Sequence, residues 1–194
     1  MSKAIVTDHA HYNRVLFGFW VYLMTDCVLF GTLFATYIVL HSHAFMGPTT
    51  QELFSLPLAL WETLVLLTSS FTCGLSRLAA HYKKRGKVLF WLALTFILGA
   101  AFLWMEITEF THFVQEGNSW AKSAFLSSYF TLVATHGCHI TVGMIWMIFS
   151  GWLIAKQGIT SNNFRRLTCF GLFWHFLDIV WIFIFSVVYL MGVL

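Results

Sequence analysis

The chain has 194 residues, of which 59% are apolar and only 10% charged, and its net charge is +3. Soluble domains carry about one quarter charged residues, so this balance excludes a soluble enzyme and defines an integral membrane protein. No long hydrophilic stretch interrupts the apolar segments, so residues 1–194 are expected to form a single transmembrane domain without an appended soluble unit.

Crossing about 30 Å of hydrocarbon takes roughly 20 helical residues, and five stretches are long enough. The segment Met1 to Arg14 carries Asp8, His9 and His11. No small-x-small cleavage pattern follows the first apolar run, so no cleaved signal peptide is expected. Span one covers about residues 16–41 and contains Asp26; Gly47-Pro48 marks the loop after it. Pro57 suits the opening turn of span two, about 57–80, which contains Glu62. Gly86 falls in the next loop, and span three, about 88–111, contains Glu106 and Glu109. Gly117 precedes span four, about 124–155, with His136 and His139. Gly158 marks the last loop, Ser161 or Asn162 suits a helix cap, and span five, about 168–192, contains His175 and Asp178. Backbone groups in lipid must bond within their own segment, so the fold class is all-α: a polytopic bundle of five transmembrane helices.

Basic residues alternate between loops as the positive-inside rule requires. Lys3 and Arg14 precede span one, Arg77, Lys83, Lys84, Arg85 and Lys87 cluster at the second loop, and Lys156, Arg165 and Arg166 mark the fourth. Only Lys122 falls on the other side, so the N-terminus is expected to be cytoplasmic and the C-terminus external. No internal repeat supports a duplicated transporter fold.

The candidate polar residues inside the spans are Asp26, Glu62, Glu106, Glu109, His136, His139, His175 and Asp178. Such residues are costly in a bilayer and face protein or water. Glu106/Glu109, His136/His139 and His175/Asp178 are i,i+3 pairs, which sets both members on one helix face. By depth, Glu62, Glu106 and Glu109 form an outer tier with His112 beside it, and the other five form a deeper tier in which spans four and five bring their pairs together. Three chemistries compete for this pattern: a metal site, a proton or ion path, and a structural polar network that also holds a lipid headgroup. The first is disfavoured because depth divides the ligands.

Trp20, Trp61, Trp91, Trp120 and Trp152 lie near span ends and read as interfacial belts. The deeper Trp104, Trp146, Trp174 and Trp181 are expected to pack against another membrane subunit rather than border a cofactor. Cys27, Cys73, Cys138 and Cys169 are scattered through the apolar segments and read as small packing residues. Gly31-x-x-x-Ala35 and Ser70-x-x-x-Gly74 offer small faces for helix contact.

Particular segments then carry a resemblance. They are Gly18-Phe19-Trp20 with Thr25-Asp26-Cys27, Trp61-Glu62-Thr63 with Ser69-Ser70, Met105-Glu106-Ile107-Thr108-Glu109-Phe110, Thr135-His136-Gly137-Cys138-His139, and Trp174-His175-Phe176-Leu177-Asp178-Ile179-Val180-Trp181. In this order across all five spans they resemble subunit III of the haem-copper terminal oxidases. The chain is similar to the five-helix form of the bacterial bo-type ubiquinol oxidases, rather than the seven-helix cytochrome c oxidase form with two further N-terminal helices.

The resemblance implies an accessory subunit of a proton-pumping quinol oxidase of the aerobic respiratory chain, in a bacterial cytoplasmic (inner) membrane. Quinol oxidation and oxygen reduction would belong to the assembled enzyme, with haems and copper in the partner subunit I and neither cofactor nor catalytic centre in this chain. Expected partners are subunit I, other oxidase subunits and bound phospholipid, with no nucleic acid. The chain would support subunit I and maintain proton uptake. Asp26 stands where many members of the family have a membrane-buried glutamate. Under this resemblance the eight polar residues read foremost as a network with lipid and partner contacts. The alternatives are subunit III of a cytochrome c oxidase and an independent intramembrane proton or ion transporter.

Overall fold

The computed structural model describes residues 2–41, 56–115 and 123–190. Among them are five α-helices: α1 Ser2–His41, α2 Leu56–His81, α3 Arg85–Gln115, α4 Ala124–Gln157 and α5 Ser161–Ile184. The last continues into one π-helical turn, Phe185–Leu190. Each helix contains a stretch long and apolar enough to cross a membrane, and no strand occurs among the described residues.

The helices outrun the apolar stretches that predict them. α1 begins at Ser2 and α5 at Ser161, well before the expected 16 and 168. Hydropathy measures only the part of a helix that suits hydrocarbon, whereas backbone bonding continues through polar turns such as the one carrying Arg165 and Arg166. Gly86 is not a loop residue; it lies in the first turn of α3. The α2–α3 turn is made instead by Lys83 at φ 54, with Lys84 N–H donating to the Ala79 carbonyl and Lys83 N–H to that of Ala80, both at 3.0 Å. This is a Schellman closure with lysine in the left-handed position that glycine usually takes.

Gly158, at φ 74, does close α4, and its N–H reaches the Ile154 carbonyl at 3.0 Å. Two residues on, Thr160 caps α5, one position before the expected Ser161 or Asn162: its hydroxyl accepts from Asn163 N–H at 3.2 Å. Gly47, Pro48, Gly117, Trp120 and Lys122 lie outside the described residues.

Cross-helix contacts fix an alternating arrangement. Phe19 meets Trp146 and Tyr37 meets Phe125, so α1 and α4 are antiparallel. Trp181 bonds Thr63 and Trp174 bonds Ser69, so α2 and α5 are antiparallel as well. α5 packs against α1, α2 and α4, while α3 packs against α2 and α4. Half of the α5 span is buried but only 22% of the α1 span, so α5 is the centre and α1 a flank.

Two glycines make that centre possible. A Cβ on Gly99 of α3 or Gly143 of α4 would stand 3.0 Å from the Trp174 ring, so the indole occupies the space two side chains have vacated. Its N–H donates to Ser69 Oγ at 3.1 Å. Trp174 and Trp181 are therefore the interior of this chain and not a surface for another subunit, contrary to the sequence reading. Trp146 packs internally on Phe19, Phe170 and Phe173, and of the four deep tryptophans only Trp104 is strongly exposed. Trp20, Trp61 and Trp152 are exposed, as belt residues are, whereas Trp91 is half-buried. The small faces behave differently from expectation: a Cβ on Gly31 or Gly74 would meet nothing within 4 Å. Cys73 and Cys169 are buried packing residues, but Cys27 and Cys138 are exposed.

Candidate functional site: buried polar clusters

The outer tier is a cluster built by α2, α3 and the end of α5. Glu62, Glu106 and Glu109 are all buried and interact electrostatically, Glu62 with Glu109 and Glu106 with both. Tyr189 OH donates to Glu109 Oε2 at 2.9 Å and lies 3.1 Å from Tyr129 OH. The carboxyl oxygens of Glu62 and Glu106 have no hydrogen-bond partner among the described residues. A carboxyl is a donor with its proton and an acceptor without it, so the cluster has the chemistry of proton exchange or polar packing. His112 is exposed on α3.

The deeper tier does not form one site. Among the described residues no hydrogen bond or ion pair joins the α4 pair to the α5 pair. Instead His139 turns to α1, where its Nε2 stands 3.8 Å from Asp26 Oδ1, while its Nδ1 is 2.7 Å from the Thr135 carbonyl. A carbonyl only accepts, so Nδ1 carries a proton. Tyr22, one turn before Asp26, interacts with that carboxyl.

His136, three residues from His139, points into a different seam. It is fully buried, stacks on Trp181 with centroids 5.4 Å apart, and meets Phe102 edge-on at 5.9 Å. Neither ring nitrogen has a hydrogen-bond partner among the described residues. Shared-face spacing is thus correct in angle, but two side chains about 60° apart on a helix this deeply embedded reach different neighbours.

On α5, Asp178 is buried and His175 stands at the edge of the bundle. His175 Nδ1 is 2.5 Å from Ser70 Oγ of α2 and 3.8 Å from Asp178 Oδ2. Asp178 lies within electrostatic reach of both, yet neither of its oxygens closes a hydrogen bond.

A groove of about 470 Å³ opens at the end of the bundle where the basic residues gather. Gly18, Phe19 and Tyr22 of α1 and Trp146 of α4 form its apolar walls, and Arg165 and Arg166 of α5 stand at its rim. Through Tyr22 it borders the Asp26–His139 pair.

Sequence reasoning gave no part in these clusters to the hydroxyls that complete them, those of Tyr129, Tyr189 and Ser70. For Tyr189 the sequence signal is its period, eleven residues or about three α-helical turns beyond Asp178, and the π-helical turn alters that phase. No three His, Cys, Asp or Glu side chains converge as metal ligands among the described residues.

The chain matches the family model described as cytochrome c oxidase subunit III over residues 4–193. It is 53% identical to the cytochrome bo(3) ubiquinol oxidase subunit 3 of Pseudomonas aeruginosa over 189 residues, 96% of this chain and 90% of that one. Over 192 residues it is 43% identical to the protein of the same name from Buchnera aphidicola, covering 99% of each chain. The quinol oxidase subunit 3 of Bacillus spizizenii is 46% identical over 180 residues, 91% of this chain and 87% of that one.

Proposed function

Because the chain belongs to the cytochrome c oxidase subunit III family, we propose that it is the accessory third subunit of a proton-translocating haem-copper quinol oxidase in a bacterial cytoplasmic membrane. The single observation that carries this reading is near full-length similarity, at 43–53% identity, to proteins named as subunit 3 of a ubiquinol oxidase. Those names favour quinol over cytochrome c as the electron donor of the complex. Haems and copper then belong to subunit I, which this chain supports, and residues 1–194 act as one transmembrane unit.

The end bearing Arg14, the Lys83 turn, Lys156, Arg165 and Arg166 faces the cytoplasm, and the C-terminus is external. The groove under Arg165 and Arg166 holds a phospholipid: two guanidinium groups match a phosphate, and the walls below them match acyl chains. Asp26 and His139, above the groove, help sustain proton uptake from that side. The remaining pairs hold the helices and their neighbours in register.

Purification of the tagged full-length chain from native membranes tests this. Haem and copper are expected to accompany it, the preparation is expected to oxidise quinol rather than reduced cytochrome c, and bound phospholipid is expected to fall when Arg165 and Arg166 become glutamine. A chain that purifies without a haem- and copper-containing subunit would overturn the assignment.

A further inference from the structure

Glu62 stands in the second turn of α2, and Glu106 and Glu109 stand in the last turns of α3, so all three lie at the end of the bundle opposite Lys83, Lys156, Arg165 and Arg166. Glu106 and Glu109 share one face of α3, and Glu62 reaches them from another helix. Its side chain is fully buried, neither of its carboxyl oxygens has a hydrogen-bond partner among the described residues, and it interacts electrostatically with both α3 acids. Glu106, 3% exposed, also has both oxygens unpartnered. The other titratable groups facing the pocket are Tyr129 of α4 and Tyr189 at the end of α5. No positive charge among these groups offsets three carboxylates. We propose that Glu62, Glu106 and Glu109 form a proton-binding site at the external end of the bundle, in which the carboxyls share bound protons and exchange them with external water by way of His112.

The inference rests on the subunit assignment above for the side the pocket faces, and it gives these acids a use beyond holding helices in register. Unopposed like charges in one dry pocket are not held together, and carboxyls so placed divide protons among themselves. Hydrogen bonding leads to the same point. A carboxylate oxygen can only accept, and of the two hydroxyls facing the pocket Tyr189's goes to Glu109 while Tyr129's lies 3.1 Å from Tyr189's. The donors left for Glu62 and Glu106 are protons bound by the acids themselves. His112 supplies the way out: it is exposed on α3, three residues beyond Glu109 and on the same helix face. An imidazole takes a proton on one nitrogen and gives one from the other, so it links a buried carboxyl to water. A cluster of this kind gives a proton-translocating oxidase a local proton store on the face where protons are discharged.

Infrared spectra of the intact tagged complex test this, because a protonated carboxyl has a carbonyl stretch apart from that of a carboxylate, and the band shifts when its proton becomes a deuteron. Glu62→Gln, Glu106→Gln and Glu109→Gln are each compared with the unsubstituted complex at equal haem, in water and in D2O. Acid bands are expected in the difference spectra, and they are expected to shift in D2O. The loss in the Glu62→Gln/Glu106→Gln double variant is expected to differ from the sum of the two single losses, since coupled acids titrate as one unit. His112→Asn is expected to slow the D2O shift by roughly a hundredfold, the lower end of what a positioned proton-transfer group contributes. Where a glutamine variant does not retain haem, the aspartate variant, which keeps the acid and moves its band, is read in its place. Strictly additive losses, or bands that never shift in D2O, would show separate, sealed acids and overturn the shared proton site. An unslowed shift in His112→Asn would overturn the route through His112. These outcomes are read in complexes that retain haem, so they leave the subunit assignment standing. An unsubstituted chain that purifies without haem would instead overturn the assignment, and the bands would then be read on the chain as purified.

Discussion

His139 and Asp26 face one another across the α1–α4 seam with 3.8 Å between Nε2 and Oδ1, while the other nitrogen of the ring is held by the carbonyl of Thr135. The Thr135 bond fixes which nitrogen looks at the acid. A hydrogen between the two atoms would make the contact attractive.

Lengthening the acid closes the gap. Asp26→Glu adds one methylene, about 1.5 Å of reach, and is expected to preserve proton uptake and sustained oxygen consumption. Asp26→Asn keeps the shape without the exchangeable carboxyl proton. It is expected to lose activity progressively during turnover, with little change in assembly, because an interhelical polar contact contributes only about 0.6 kcal/mol. Oxygen-electrode time courses and pH-indicator uptake in proteoliposomes check both.

His136 is expected to behave differently despite standing three residues away. Both its nitrogens lack hydrogen-bond partners among the described residues and its ring stacks on Trp181, so it serves as an aromatic packing group. His136→Phe conserves volume and is expected to change the thermal stability of the complex by less than about 1.5 kcal/mol, without loss of proton uptake. His139→Phe, in contrast, is expected to reproduce the turnover defect of Asp26→Asn.

This divergence marks where legibility in the sequence ends. Apolar runs and basic loops located all five helices, because hydrocarbon thickness and backbone bonding constrain every residue of a span. Spacing set His136 and His139 on one face, but which neighbour each meets depends on helix packing angles that no short motif encodes. The placing of α5 at the centre turned on Gly99 and Gly143, whose significance appears only once Trp174 is seen between them. The Ser70–Gly74 face was legible as small, but not that Ser70 turns to His175 while a Cβ on Gly74 would meet open space.

Filling the Trp174 slot is expected to be costly. Gly143→Val places carbon atoms where the indole and Phe173 already lie, 3.0–3.2 Å from the glycine's virtual Cβ. Overpacking of this kind destabilises by about 1–3 kcal/mol. Trp174→Phe, which shortens the ring, is expected to recover part of the loss in the double variant even though it forfeits the bond to Ser69. Thermal dissociation of the detergent-solubilised complex measures the cycle, and strict additivity of the two substitutions would contradict direct contact.

Tyr189 joins the outer cluster in a defined direction. Its hydroxyl proton goes to Glu109 Oε2 at 2.9 Å, so in the 3.1 Å contact with Tyr129 it is Tyr129 that donates. Tyr189→Phe removes both bonds and withdraws the donor from a buried carboxyl, an effect of about 1–3 kcal/mol. Tyr129→Phe removes the bond to Tyr189, about 0.5–1.5 kcal/mol. Glu109→Gln leaves an amide oxygen that can still accept from Tyr189 and is expected to be the mildest of the three. Thermal midpoints should therefore rank Tyr189→Phe lowest, then Tyr129→Phe, then Glu109→Gln. A Glu109→Gln variant at the bottom of that order would show that the exchangeable proton of the acid, rather than its acceptor oxygen, holds the end of α5 against α3.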